Sequence, residues 1–180
     1  MKKFELTTEF ITNAFGKKLF RIKALVEFGD VKAGELGGYV EKEGNVSQAG
    51  NAWVYGNARV SGDARVYGDA EVYGNARVYG DARVSDNAWV YGDARVCGNA
   101  WVYGNADYAL VQGFGTEFRC TTFYRGKNKK IMVNCGCFHG DLEGFRKQVK
   151  ETRNGKIAKE YLMIADLMEY HFTSEDSSDE

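Results

Sequence analysis

Few residues in this 180-residue chain have the chemistry of a catalyst or a metal ligand. There are two histidines, His139 and His171, and four cysteines, Cys97, Cys120, Cys135 and Cys137. Cys135, Cys137 and His139 alternate along one segment, and Cys120 can join them from a partner strand. Four soft or borderline ligands is the number that zinc takes. The C-x-C spacing, however, differs from the usual zinc knuckle, and small cysteines pack readily in strand cores. Buried thiols are therefore the expectation, with no metal assigned. A general base near neutral pH is most often an imidazole, and no histidine precedes residue 139. No Ser-His-Asp set, phosphate-cradling glycine loop or pair of catalytic carboxylates stands out. The residues point to a protein that is not an enzyme and carries no cofactor.

Arginine and aromatic residues offer a different chemistry, that of recognition. Arg59, Arg65, Arg77, Arg83 and Arg95 each stand directly before a valine. Trp53, Tyr55, Tyr73, Trp89 and Tyr91 flank other valines of the same series. Guanidinium groups recognise anions, and Trp and Tyr anchor protein interfaces.

The element that positions these side chains is a repeat. Residues 50–103 form nine consecutive hexapeptides of Gly, Asn or Asp, Ala, a variable residue, Val, then Tyr, Ser or Cys. Val recurs without a slip from Val54 to Val102, and Asp86 is the one break in the glycine column. Ala-x-Val alternates with period two, so both apolar side chains face one way and the variable residue faces the other. Gly followed by Asn or Asp favours a bend. Strands this short bury nothing alone, so the units must stack on one another as a solenoid.

The V-x-G-[DN]-A-x form, as in Val54-Tyr55-Gly56-Asn57-Ala58-Arg59, resembles the hexapeptide-repeat left-handed β-helix superfamily. The resemblance covers residues 44–109 with the flanking partial units. It implies a mainly β fold: a left-handed parallel β-helix, a triangular prism with eighteen residues per coil. Such a coil stacks each outward residue on the one eighteen positions away. Face one then carries Trp53, Glu71 and Trp89 before valine, and Tyr55, Tyr73 and Tyr91 after it. Face two carries Arg59, Arg77 and Arg95, followed by Ser61, Tyr79 and Cys97. Face three carries Arg65, Arg83 and Trp101. Five rings on face one would make a large apolar patch, which soluble monomers rarely expose. C-terminal helices, a second subunit or a foreign partner are the expected cover; the equal alternative is that the stacked aromatics simply stabilise neighbouring strands. The arginines of face two repel one another unless neutralised. Asp63, Asp81 and Asp93 at the corners, or Tyr79, are the expected neutralising groups, and a solvated charged face is the plainer reading.

The flanks read as caps, which an open solenoid end requires. Residues 1–43 form an N-terminal β cap. Within it, 3–11 and 18–26 alternate apolar and polar residues around a 12–16 loop. Residues 110–172 form a C-terminal α/β cap. There, 116–125 and 130–139 suggest a hairpin, Asp141 can cap a helix through Val149, and a second helix carries Ile157, Tyr161, Ile164, Ala165, Met168 and Phe172. Residues 119–160 hold eleven basic and four acidic residues. They are a route to nucleic acid, although a solvated cap surface is the simpler reading. Residues 173–180 form an acidic tail expected to be disordered.

Composition narrows the rest. Twenty-four basic and 25 acidic residues give a net charge of −1, which excludes a global polycation that binds nucleic acid by charge alone. No apolar run approaches the ~18 residues of a membrane span. The start MKKFELTTEF lacks the form of a signal peptide, and unexported cysteines imply reduced thiols in a cytoplasm. Members of the hexapeptide superfamily are often trimeric acyltransferases with a histidine on the prism, a pattern from which this chain departs. The leader FGDVKAGELGGYVEKEGNVSQAGNAWVYGNA and the C-terminal GCFHGDLEGFRKQVKET resemble small hexapeptide proteins of bacteriophages and prophages. That resemblance implies a non-enzymatic protein of the host bacterial cytoplasm. It would self-associate and bind a host protein such as a defence component through Trp53, Tyr55, Tyr73, Trp89, Tyr91, Arg59, Arg77 and Arg95. The alternatives are a sponge for a small anionic nucleotide, held by the three arginines of face two, and an acyltransferase.

Overall fold

The computed structural model describes residues 2–127 and 129–173, with the side chain of Arg119 excepted. The acidic tail from residue 174 onward lies outside the described residues. The chain divides into two compact units, Met1–Asn105 and Ala106–Glu180.

The first unit contains a β-solenoid. Nine two-residue strands follow at six-residue intervals: β4 (Trp53–Val54), β5 (Arg59–Val60), β6 (Arg65–Val66), β7 (Glu71–Val72), β8 (Arg77–Val78), β9 (Arg83–Val84), β10 (Trp89–Val90), β11 (Arg95–Val96) and β12 (Trp101–Val102). Every third strand pairs in parallel. Trp53 lies beside Glu71 and Glu71 beside Trp89; Arg59 beside Arg77 and Arg77 beside Arg95; Arg65 beside Arg83 and Arg83 beside Trp101. Eighteen residues therefore complete one coil, and the backbone falls into three parallel sheets. All the Ala and Val residues of the repeat from Ala52 to Val102 are fully buried. The inside of the coils is thus made by the Ala and Val columns, which leaves the outward positions free to differ.

The corners explain the glycines. Gly68 has φ +69°, and a Cβ there would stand 2.9 Å from the backbone nitrogen of Asp86 in the next coil. Asp86 itself adopts φ +54°, a left-handed conformation that Asp tolerates better than most residues.

The N-terminal segment is built onto one sheet of the solenoid. Strands β1 (Phe4–Thr12), β2 (Lys18–Ala24) and β3 (Leu36–Val40) are antiparallel to one another. β3 then pairs in parallel with β5, which extends the arginine-bearing sheet to six strands.

Each end of the solenoid is a strand edge with backbone groups to satisfy. Within the stack the Arg59 N–H donates to the Ala76 carbonyl of the following coil, and the parallel pairing returns a bond from the following coil to the Arg59 carbonyl. At the start, Lys3 Nζ donates to the carbonyls of Ala52 (2.8 Å) and Gly50 (3.2 Å). The buried Asn45 amide donates to Ala64 (2.8 Å) and Gly62 (3.0 Å). At the far end, Asn105 Oδ1 accepts from the Trp89 N–H at 2.8 Å. Side chains thus pair backbone groups that the stack leaves open.

The second unit is an antiparallel sheet of β13 (Tyr108–Phe114), β14 (Arg119–Arg125), β15 (Ile131–Cys135) and β16 (Phe138–Asp141), in that order, packed with α1 (Leu142–Thr152) and α2 (Gly155–Thr173). Asp141 Oδ1 accepts from the Gly144 N–H at 2.9 Å and caps α1. Phe123, Phe145, Tyr161, Ile164, Met168 and Phe172 are central to its core. No helix among the described residues is long and apolar enough to cross a membrane.

Candidate functional site

On face one the five aromatic residues split into two groups. Trp53 is fully buried. Phe4 and Phe28 meet its ring edge-on at 5.8 and 5.3 Å. The expectation that Trp53 lies on a binding surface is thereby corrected, because the N-terminal segment covers the first coil. Tyr55 is half-buried, and its hydroxyl donates to the Glu71 carboxylate. Burial, reinforced by the charge of Glu71, pushes its phenol up to about 12. Burial likewise raises the Glu71 carboxyl, with Asp30 adding to the effect. Tyr55 thus takes part in the internal structure of the cap.

The other three residues face outward. Trp89 is 49% exposed and Tyr91 48%. The rings of Tyr73 and Tyr91 stack at 5.6 Å with an 18° interplanar angle. This is the eighteen-residue register expressed in side chains, and it forms a patch at the later coils.

Face two is the arginine ladder. Arg59, Arg77 and Arg95 stand in register. Burial lowers the pKa of the Arg77 guanidinium, and the charges of Arg95 and Arg59 lower it further. Asp93 opposes that shift. Asp63 is engaged elsewhere, with Lys42 at 2.7 Å, so it does not serve the ladder as expected. Sequence reasoning missed the residues opposite. The loop between β1 and β2 brings Phe15 and Lys17 to the ladder, and β3 is followed by Glu41. These positions lie outside the repeat and carry no periodic signal.

On face three, Arg83 lies over the Trp101 ring at 5.6 Å, which gives that guanidinium an aromatic contact.

The cysteine and histidine set does not assemble. β15 ends at Cys135, a turn at Gly136 (φ +62°) follows, and His139 lies on the next strand. The three residues therefore do not alternate along one strand. Thr121 Oγ1 donates to Cys135 Sγ at 3.1 Å, Tyr124 Oη lies 3.1 Å from His139 Nε2, and Cys137 is exposed. Among the described residues no three potential metal ligands converge.

No curated protein sequence matches the chain. The repeat itself is similar to a known family: the model of the YdcK beta solenoid repeat matches residues 52–68, 58–74, 70–86 and 76–92.

Proposed function

We propose that this is a non-enzymatic binding protein that docks a partner protein on face one, with Tyr73, Trp89 and Tyr91 at the centre of contact. The observation that carries this reading is the exposed Trp89 beside the stacked Tyr73–Tyr91 pair, on a scaffold whose core needs none of them. Two χ angles and a rigid backbone make such rings low-entropy anchors. Corner carboxylates already have structural partners, Asp63 with Lys42 and Asp69 with Asn51, which favours a scaffold over a catalyst. The reading extends to a left-handed coil of the hexapeptide superfamily, a phage-type origin and self-association. Its partner is a host protein of the bacterial cytoplasm, such as a defence component. The immobilised full chain is expected to retain one bacterial protein at stoichiometric yield, and Trp89→Ala and Tyr73→Ala each to weaken that capture. Equal capture by both variants and the parent overturns the assignment to face one.

A further inference from the structure

The ladder on face two borders a concavity of about 490 Å³, within the ~300–1,000 Å³ typical of small-molecule sites. Arg59, Arg77 and Arg95 line it along the sheet, and Lys17, Phe15 and Tyr79 also border it. The only carboxylate in the lining is Glu41, and it is already occupied. It accepts from Lys17 Nζ at 2.8 Å and from the Gly62 N–H at 2.7 Å. The Lys17 bond and then the Gly62 bond hold its carboxyl below the usual range. Four basic side chains thus line a groove in which the one lining carboxylate is engaged by Lys17 and Gly62.

The spacing narrows the ligand. Paired parallel strands stand about 4.8 Å apart, so the three arginines leave the backbone in register at that interval. Acidic residues on one side of an extended peptide recur about 6.7 Å apart, two residues at a time, and fall out of step with the ladder. A short chain of adjoining phosphoryl groups offers oxygens at every rung, and the planar guanidinium fork suits phosphate. Phe15 is 85% exposed at the rim, a ring held in water where it contributes nothing to the core. Tyr79 supplies a second ring within the groove. Both suit a planar heterocycle.

We propose that this groove binds a nucleoside di- or triphosphate, with its phosphate chain along Arg59, Arg77 and Arg95 and its base against Phe15 and Tyr79. The site is separate from the aromatic patch of face one, and each stands or falls alone. An anion there also relieves the repulsion between neighbouring guanidiniums.

The test is calorimetric titration of the full chain at low salt with AMP, ADP, ATP, tripolyphosphate and adenosine, paired with thermal melting. Affinity is expected to rise from AMP to ATP, with adenosine silent. ATP raises the melting temperature because it binds the folded state. Arg77→Gln lowers ATP affinity by about ten-fold or more without lowering the ligand-free melting temperature, because it removes a repelled charge. Phe15→Ala weakens ATP several-fold and leaves tripolyphosphate unchanged, while Trp89→Ala alters neither. The proposal is overturned by any of three results: no ATP binding at about 1 mM, ATP binding undiminished in Arg77→Gln, or a polyglutamate peptide or single-stranded DNA that outcompetes ATP.

Discussion

Trp53 and Trp89 hold the same position in the same column, two coils apart, yet one is sealed in the core and the other is half in water. The repeat dictates their direction equally. What separates them is the non-repetitive N-terminal segment, whose Phe4 and Phe28 close over the first coil only. In a solenoid, then, period determines where a side chain points, and the flanks determine whether it is available. An aromatic column read from sequence alone merges structural rings with recognition rings.

Truncation gives the sharpest test of that contrast. Trp53→Ala is expected to cost about 3–5 kcal/mol, because it leaves a cavity among packed rings. Trp89→Ala should cost no more than about 1 kcal/mol, as exposed substitutions do. Urea unfolding of the two variants checks this, and equal losses would erase the distinction.

The corner column offers a second pair of equivalent positions with unequal residues. Gly68→Ala should destabilise by about 1–3 kcal/mol, from a left-handed φ and a Cβ pressed against the next coil. Asp86→Gly should stabilise by a smaller amount, about 0.5–1 kcal/mol, by restoring the residue that the φ of +54° favours. Chemical denaturation reads both, and a gain for Gly68→Ala would show that the corner is not strained.

The pH dependence belongs to the covered first coil. Burial lowers the Lys3 ammonium to about 8, against a partial opposing effect of Asp69. Between about 8 and 10.5 the unfolded chain holds that proton and the folded chain does not, so stability rises with pH. Tyr55 acts in the opposite sense. Its phenol is raised to about 12, so between 10 and 12 the folded chain keeps a proton that the unfolded chain has lost, and stability falls. Melting temperature against pH should therefore climb above pH 8 and turn down beyond pH 10. Lys3→Met should flatten the first limb and Tyr55→Phe the second.

The solenoid was legible because its signal is covalent spacing: the Val and Gly columns dictate the strands, the corners and the three faces. The in-register arginines follow by adding eighteen. The start of α1 was legible from Asp141, a residue type that caps helices. The fate of Trp53, the Tyr55–Glu71 bond and the approach of Phe15 and Lys17 to the ladder were not. Each depends on contacts between residues far apart in an irregular segment, where side-chain size and loop path decide and no period exists. The same holds in the second unit. Gly136 breaks what reads as one continuous strand over 130–139 into β15 and β16, because its left-handed φ turns the chain.

The capping of the ends has one more consequence. Both ends of the stack are parallel strand edges, so bare ends on two copies could pair and each addition would recreate the same ends. Such a chain polymerises head to tail into filaments without a natural stopping point. Lys3, Asn45 and Asn105 occupy the groups that would template this growth. Three polar side chains thus act as chain terminators for a backbone whose own geometry favours endless addition.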